Sequence, residues 1–358
     1  MDKIHCGGRV VIRPSKRCAI FRFDAGPEIG GGHALRCLAL AETLMRSGWM
    51  CRYAIGPGSI NAVQQLMPYE KYCFQLSGKP ESEINEIEGY LKGRKCDLFV
   101  VDHYGRDIHF ERLCRTFAKY IMVIDDMVNR SHDADYLLNQ NLGSLASSYK
   151  TLVPGTCRFF IGPQYALLRP EFYLNRLKSL ARRQHERAVQ RILVSFGLSE
   201  TCRFTERVVK ALANTSYSGY IDVVGSGEEF RKSAVFSESK KTRPRIRILR
   251  DVDDIAVLMR DADLAIGAAG SMSWERCTLG LPSLVTAIAD NQRTIAHALF
   301  KAGAADVFDF DMANEDDGLA KSLAKILIDR KRVKQMSTIA ADICDGLGCE
   351  RVTEALGL

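Results

Sequence analysis

Short apolar runs alternate with amphipathic segments along the whole chain, and this alternation limits the fold more than any other feature of the sequence. The runs have the length of buried strands, and the amphipathic segments have the length of helices. Neighbouring parallel strands need a crossover connection that is long enough to hold a helix, so regular alternation favours a parallel sheet covered by helices. The sequence therefore predicts an α/β fold.

Two groups of predicted strands are separated by a polar, basic segment at residues 173–188. The first group is Cys18–Phe23, Cys51–Ile55, Leu98–Val101 and Tyr120–Ile124. The second group is Arg191–Ser195, Tyr220–Val224, Ile246–Leu249, Leu264–Ile266 and Ser283–Thr286. Because 358 residues are more than one core usually holds, we predict two Rossmann-like domains whose parallel sheets face each other across a cleft.

The same pattern predicts how the chain is divided. Residues 1–18 form a loose N-terminal extension, 19–172 the N-terminal domain, 173–188 a linker helix, 189–342 the C-terminal domain and 343–358 a terminal segment. We expect the helix of the terminal segment, around Gly348–Leu356, to pack back on the N-terminal domain. Ligands of such sheets bind beyond the carboxyl ends of the strands, so we expect the functional site in the cleft.

Charge and hydropathy disfavour two classes of protein, nucleic-acid-binding proteins and membrane-spanning proteins. The 50 basic and 43 acidic residues give a net charge of +7, but the basic residues are dispersed rather than gathered in a stripe, which disfavours nucleic acid as a partner. Such a surface suits anionic metabolites. No window holds the roughly 18 apolar residues that a membrane span needs, and the first residues lack the apolar region of a secretory signal. We expect a cytoplasmic protein.

Twelve cysteines are scattered along the chain without any CxxC pair. This distribution lacks the spacing of a disulfide framework or of a zinc site, and we interpret these residues as reduced, mostly buried side chains. Two adjacent carboxylates, Asp125 and Asp126, are too few to hold a hard cation, and we interpret them as structural or sugar-binding residues. We therefore expect no metal.

A glycine-rich loop precedes a histidine in the segment FRFDAGPEIGGGHALRCLALAETLMRSGW, which has the pattern of a strand, a loop and a helix. Gly30, Gly31 and Gly32 allow close backbone approach, and we expect the helix to begin at about His33. The partial positive charge of a helix N-terminus disfavours a protonated imidazole, whereas a neutral imidazole serves as a general base. A nearby diphosphate would have the opposite effect and favour the protonated imidazole. A tight turn in which the histidine only caps the helix is an alternative explanation of the same pattern.

Asp24 ends the strand before this loop. Its carboxylate is a candidate for orienting the ring of His33 or for binding a substrate hydroxyl. A role in capping the loop is an equally good interpretation.

The stretch RFDAGPEIGGGHALRCLALA resembles the signature of the PseG family, approximately R-A-D-A-S-x-x-I-G-x-G-H-x-x-R-C-L-x-L-A. The resemblance runs from about residue 19 to the end and implies a GT-B fold similar to MurG. It implies a UDP-2,4-diacetamido-2,4,6-trideoxy-β-L-altropyranose hydrolase of pseudaminic acid biosynthesis, with no cofactor. The catalytic histidine of the family falls on His33, and Arg36 matches the signature arginine, a candidate substrate ligand. Phe23 and Gly26 depart from the signature.

The segment LFVVDHYGRD resembles the V-D-x-Y motif of the family, in which the tyrosine lies near the reacting sugar. The resemblance makes Tyr104 a candidate catalytic residue and Asp102 a candidate substrate ligand. A solvated turn with a partly buried tyrosine ring is the alternative interpretation.

The segment LAIGAAGSMSWERCTLGLPSLVTAIADNQ predicts a strand, a loop of small residues and a helix. Backbone N–H groups at such a turn suit a diphosphate, which makes Gly270 and Ser271 candidate ligands. Close helix–strand packing alone also explains a Gly/Ser turn. The resemblance assigns Glu275 to ribose hydroxyls and adds Asn291 and Gln292 as candidate binding residues.

The loop at residues 195–205, SFGLSETCRFT, departs from the family pattern, which usually has a glycine and an aspartate at the positions of Leu198 and Glu200. The resemblance implies that this loop, with Gly197, covers the nucleotide phosphates. The departure leaves the preference for UDP over another nucleotide open.

The sequence thus predicts a nucleotide-sugar hydrolase in which His33 takes a proton from water, and the water attacks the anomeric carbon. The bond to UDP then breaks with inversion. A glycosyltransferase on the same fold, and a nucleotide-sugar-binding protein without catalysis, are the alternatives. We expect a monomer.

Overall fold

The computed structural model describes residues 3–6, 9–12, 17–26, 28–197, 202–225, 230, 232, 244–250, 252–310 and 316–357. Leu198 and Glu200 of the divergent loop lie outside these residues. The first two strands, β1 (Lys3–Cys6) and β2 (Arg9–Ile12), pair antiparallel within the predicted N-terminal extension. The β-branched run at the end of β2 has a strong preference for extended backbone.

Two parallel sheets, one in each half of the chain, confirm the predicted α/β architecture. The first sheet contains β3 (Cys18–Phe23), β4 (Met50–Ile55), β5 (Cys73–Gln75), β6 (Cys96–Asp102), β7 (Ala118–Ile124), β8 (Tyr136–Asn139) and β9 (Arg158–Ile161). Its strand order is 5-4-3-6-7-8-9. The second contains β10 (Arg191–Ser195), β11 (Tyr220–Val224), β12 (Arg245–Leu249), β13 (Leu264–Ala268), β14 (Ser283–Thr286) and β15 (Ala305–Val307). Its strand order is 12-11-10-13-14-15.

The described helices connect these strands. They are α1 (Gly32–Arg46), α2 (Ser59–Ala62), α3 (Glu83–Leu91), α4 (Ile108–Cys114), α5 (Pro170–Arg182), α6 (Cys202–Ala213), α7 (Ile255–Asp261), α8 (Met272–Thr278), α9 (Asp290–Ala302), α10 (Asp316–Ile328), α11 (Arg330–Ile343) and α12 (Gly348–Leu356). Shorter 3₁₀ segments are Gln64–Tyr72, Ala146–Tyr149 and Pro163–Tyr165. Among the described residues, no helix has both the length and the apolarity that crossing a bilayer requires.

The strands that the sequence analysis missed are short. β5, β8, β9 and β15 have only three or four residues each, and such runs carry too little periodicity to be recognised. Every strand predicted for the two sheets is present, with boundaries that differ by at most two residues.

The helix between the domains, α5, is attached to the C-terminal domain by the partly buried guanidinium group of Arg176. Arg176 donates to the carbonyl oxygens of Thr278, Cys344 and Ala341 at 2.5, 2.9 and 2.8 Å. These carbonyls lie at the carboxyl ends of α8 and α11, where a positive charge is stabilising. The helix begins at Pro170, earlier than the predicted segment at 173–188, because proline is well suited to the first helical turn.

The last helix, α12, packs on the N-terminal domain. Cys349, Val352 and Leu356 are buried in the same core as the apolar residues of α1. Gly348 begins this helix against the turn at Tyr165 and Ala166, where an added Cβ would lie 2.2 Å from the carbonyl oxygen of Ala166. Only a glycine permits this approach, since backbone atoms cannot move aside cheaply.

We therefore expect Gly348→Ala to displace α12 and to destabilise the protein by about 1–3 kcal/mol, the usual cost of overpacking. Chemical unfolding followed by circular dichroism measures the change. The matched control is Gly89→Ala, because Gly89 lies exposed within α3 with free space around its Cα. That substitution should stabilise the protein by about 0.5–1 kcal/mol. Equal effects of the two substitutions would contradict this account of α12.

Candidate active site

Two adjoining cavities lie between the domains. The larger has a volume of about 420 Å³, and the smaller, of about 160 Å³, is lined by His33. Both are lined by the glycine-rich loop of the N-terminal domain and by the loop between β13 and α8 of the C-terminal domain. The residues common to both cavities are Gly31, Gly32, Arg36, Gly197, Ser271 and Met272. The site therefore lies beyond the carboxyl ends of strands of both sheets, as α/β folds favour.

The glycine-rich loop is tightly folded before α1. Gly26 and Gly30 exchange backbone hydrogen bonds of 3.3 and 2.7 Å, and Gly30 has a φ of +78°, which glycine adopts without strain. Gly32 begins α1 so close to the other domain that an added Cβ would lie 3.2 Å from Oγ of Ser271. The loop thus brings the two domains into contact at the junction of the cavities.

His33 is held by a buried carboxylate. Its Nδ1 lies 2.5 Å from Oδ1 of Asp102, which is only 1% exposed. Arg36, one turn along α1, donates to both oxygens of that carboxylate, at 2.6 Å from Nε and 2.5 Å from Nη2. The bidentate contact fixes the carboxylate, and the carboxylate fixes the imidazole.

The charge of Asp102 determines which ring nitrogen of His33 faces it as a donor. Burial disfavours ionisation, but the positive charge of Arg36 and the contact with His33 outweigh it and hold the pKa of Asp102 well below its usual range. An ionised carboxylate only accepts hydrogen bonds, so Nδ1 of His33 carries the proton and donates it. The other ring nitrogen, Nε2, has no hydrogen-bond partner in the described part of the chain and is available to a ligand.

The ring is oriented by Asp102 rather than by Asp24. Asp102 is in register with Phe23 on neighbouring strands, and side chains alternate between the faces of a sheet, so Asp24 points to the face opposite α1. There it contacts Nη1 of Arg22 at 2.5 Å and Nε2 of His103 at 2.9 Å. It also accepts from the backbone N–H of Gly56 at 2.8 Å, which is the loop-capping role.

These contacts hold the pKa of Asp24 well below its usual range, with His103 and Arg22 outweighing the opposing effect of burial. Asp24 lines neither of the two cavities. Asp102 is buried and also lines neither cavity, and its role as a substrate ligand stays a prediction. Arg36 lines both cavities, although its guanidinium is engaged by Asp102.

Tyr104 connects the histidine to the other domain. Its ring packs edge-on against that of His33, with centroids 4.8 Å apart and an interplanar angle of 82°. Its hydroxyl accepts from Nδ2 of Asn291 at 3.0 Å and donates to Oδ2 of Asp126 at 3.4 Å. Burial, together with the charge of Asp126, raises the pKa of Tyr104, so the phenol is protonated near neutral pH.

A buried layer of charges supports the loop that follows β7. Asp125 accepts from the backbone N–H groups of Met127 and Val128 at 3.2 and 3.0 Å, and Arg130 contacts its Oδ1 at 2.9 Å. His132 contacts Glu111 at 2.6 Å with no exposed side-chain surface. Asp125 thus supports the loop, and the next residue, Asp126, lines the smaller cavity.

The C-terminal wall is formed by the segment from β13 to α9. Glu275, on α8, lines the larger cavity and is 8% exposed, and its carboxylate has no hydrogen-bond partner in the described part of the chain. Burial raises the pKa of its carboxyl group, and the nearby Arg169 offsets this only in part. Gly270, Asn291 and Gln292 line the smaller cavity.

Most of the predicted ligands therefore surround the two cavities. Those on a wall are Gly30, Gly31, Gly32, His33, Arg36, Tyr104, Gly197, Gly270, Ser271, Glu275, Asn291 and Gln292. Asp126 and Arg169 also line a cavity wall, and Asn141, which the sequence analysis missed, lines the smaller cavity. No group of three or more His, Cys, Asp or Glu within the described ranges has a geometry suited to a metal ion.

Comparison with known proteins supports the resemblance that the motifs indicate. Residues 192–345 match the glycosyltransferase family 28 C-terminal domain. The chain is 29% identical over 286 residues to UDP-2,4-diacetamido-2,4,6-trideoxy-beta-L-altropyranose hydrolase of Campylobacter jejuni subsp. jejuni serotype O:2, covering 79% of this chain and 96% of that protein. It is 25% identical to the spore coat polysaccharide biosynthesis protein SpsG of Bacillus subtilis, covering 93% and 96%. The resemblance to the PseG family is thereby confirmed.

Solved structures confirm the fold class. MurG of Acinetobacter baumannii aligns with a TM-score of 0.71 and 17% identity, covering 95% of this chain and 99% of that protein. UDP-GlcNAc 2-epimerase of Neisseria meningitidis aligns with a TM-score of 0.62 and 12% identity, covering 95% and 99%. The two facing domains thus form a GT-B fold, as predicted.

The buried His132 generates a pH dependence of stability. Burial alone would lower its pKa, but contacts with Asp125 and Glu111 outweigh this and raise the pKa of His132 to about 9. Because the value in the unfolded chain is about 6.5, the stabilisation is complete below that pH and is lost as the pH rises through about 9. The loss is on the order of 3 kcal/mol.

We expect the wild-type free energy of unfolding to fall between pH 6 and 10 more steeply than that of His132→Gln, measured by urea unfolding. Other groups titrate in this range, so the difference between the two proteins isolates the histidine. The control His109→Gln alters an exposed histidine and should keep the wild-type slope. A His132→Gln variant with the wild-type slope would refute the charged state of this side chain.

Proposed function

We propose that this protein hydrolyses UDP-2,4-diacetamido-2,4,6-trideoxy-β-L-altropyranose to UDP and the free sugar, the substrate named for the Campylobacter relative. The observation that carries the proposal is the imidazole of His33, held by Asp102 and lining a cavity that both domains form. A fixed imidazole with one free nitrogen is suited to activate a water molecule.

The two cavities suit the two halves of a nucleotide sugar. The larger contains Glu275, whose unpartnered carboxylate is suited to accept hydrogen bonds from ribose hydroxyls. The smaller contains His33 and Tyr104 and is the proposed site of the sugar. The diphosphate would then lie where the cavities meet, between Gly32 and Ser271, where only small side chains separate the domains.

In the proposed reaction, Nε2 of His33 takes a proton from water as the water oxygen forms a bond to the anomeric carbon. The bond between that carbon and the UDP oxygen breaks, and its electron pair leaves with UDP. Because water attacks opposite the leaving group, the configuration inverts. Asp102 stabilises the imidazolium that forms, since its carboxylate faces Nδ1 at 2.5 Å.

A single base suffices because UDP is a good leaving group. Glycosidases need a second carboxylic acid to protonate an alcohol, whereas here the departing charge spreads over a diphosphate. Backbone N–H groups near Gly270 and Ser271 are the proposed donors to that charge. Donors of this kind each contribute roughly 2.7–4 kcal/mol in other enzymes.

The smaller cavity also has groups suited to acetamido substituents. The side-chain amide of Asn141, a residue that is 7% exposed, has no hydrogen-bond partner in the described part of the chain. Gln140 is already engaged, because its Oε1 accepts from the backbone N–H of Leu167 at 3.1 Å. We therefore propose Asn141 and Asp126 as sugar contacts beside Tyr104 and Asn291.

A glycosyltransferase is the second candidate, because the C-terminal half matches a glycosyltransferase domain. The two candidates differ in the group that receives the sugar. NMR of the protein with UDP-2,4-diacetamido-2,4,6-trideoxy-β-L-altropyranose and no acceptor separates them. Release of UDP and free sugar supports hydrolysis, whereas unchanged substrate that reacts only after an acceptor is added supports transfer. The cytoplasmic location, the monomeric state and the absence of a cofactor stay predictions.

We predict that His33→Phe reduces turnover at least about 10³-fold, because no group remains to deprotonate water. UDP binding, measured by calorimetry, should stay within about twofold of wild type, since the nucleotide contacts lie elsewhere. The matched control is His103→Phe, which alters a histidine one residue from Asp102 that lines neither cavity. Substantial turnover by His33→Phe would refute the assignment of the base.

Asp102→Asn tests the positioning of the base. An amide accepts poorly from Nδ1 and favours the tautomer in which Nε2 carries the proton, so kcat should fall by about 10²–10⁴-fold. KM should change little, because Asp102 does not contact the substrate. Asp102→Glu is the conservative comparison. Equal losses in kcat and in UDP affinity would point to a general structural defect and would contradict the positioning role.

A further inference from the structure

The N-terminal wall of the larger cavity carries a row of carboxamides, Asn61, Gln64 and Gln65. They lie where α2 passes into the 3₁₀ segment Gln64–Tyr72. Val63 and Leu66, which are 1% and 0% exposed, anchor this segment in the core of the domain. The anchoring places the backbone of the segment so that the three polar residues line the cavity.

None of these carboxamides has a hydrogen-bond partner in the described part of the chain. A primary carboxamide offers two donors and one acceptor, and the three together offer a dense set of neutral hydrogen-bonding groups. Neutral groups do not attract phosphate as a cation would. This row of carboxamides therefore suits an uncharged polar ligand, and the two cations on the same wall, Arg36 and Arg169, are already paired with Asp102 and Glu171.

The opposite wall belongs to the C-terminal domain and has complementary chemistry. Val224, Val252 and Ile255 provide apolar surface, and Glu275 provides the unpartnered carboxylate. A ligand that fits between the walls has a flat apolar face, hydroxyls that donate to a carboxylate, and an outer edge that exchanges neutral hydrogen bonds. A pyrimidine nucleoside has all three features. The volume of the larger cavity, about 420 Å³, lies within the size range of small-molecule sites.

We propose that Gln64 and Gln65, with Asn61 beside them, bind the nucleoside of the nucleotide sugar from the N-terminal domain. This inference rests on the proposed function for the identity of the ligand and adds residues that determine its binding. The nucleoside then contacts both domains, with its ribose on Glu275 and its outer edge on the carboxamides. Both domains therefore contribute contacts to the nucleotide.

The test is the double variant Gln64→Ala/Gln65→Ala of the full chain, titrated with UDP and with inorganic pyrophosphate by calorimetry. UDP affinity should fall about fivefold or more, the effect of losing one neutral hydrogen bond or several. Pyrophosphate affinity should be unchanged, because pyrophosphate has no nucleoside. With the UDP-sugar, KM should rise by a similar factor while kcat stays at the wild-type value.

The matched control is Gln184→Ala, which removes an exposed carboxamide distant from both cavities and should bind UDP as wild type does. Equal thermal midpoints of wild type, variant and control establish that folding is unaffected. Two results overturn the inference. One is a UDP affinity of the double variant within twofold of wild type, and the other is an equal loss of affinity for UDP and for pyrophosphate.

This failure is distinguishable from failure of the proposed function, because UDP binding is measured without turnover. A wild-type protein that binds UDP but releases no sugar would refute hydrolysis and leave the role of the carboxamides standing.

Discussion

The buried carboxylate of Asp102 is the interaction on which the site depends. A charge that is 1% exposed must be compensated within the protein, because an unpaired buried charge costs several kcal/mol. Arg36 and His33 supply that compensation, and both are on α1. The requirement therefore fixes the rotation and depth of α1 against the end of β6. The helix that carries the base is positioned by the electrostatics of the sheet beneath it.

A small number of residues likewise forms the contacts between the two domains across the cleft. Gly32 approaches Ser271 because neither residue has a bulky side chain, and Tyr104 meets Asn291 through one hydrogen bond. The ring of Tyr104 also lies against His33. The contact between the domains and the placement of the imidazole thus share the same residues, so the proposed base on one domain is fixed relative to the wall that the other domain provides.

Much of this arrangement follows from the sequence, and the exceptions have physical reasons. Local periodicity identifies long strands, and the carboxyl ends of parallel strands identify the cleft, so His33 and Tyr104 were predictable site residues. Which of the two aspartates, Asp24 or Asp102, orients the ring of His33 was not predictable, because the answer depends on strand register. Because Phe23 pairs with Asp102, Asp102 lies on the face of the sheet that α1 covers, and Asp24 lies on the opposite face.

The chain crosses between the domains twice, once before α5 and again before α12, and the crossings are neighbours: Sγ of Cys344 lies 3.4 Å from the carbonyl oxygen of Pro163. Two adjacent connections join the domains at nearly one point, and this restricts sliding of one domain along the other.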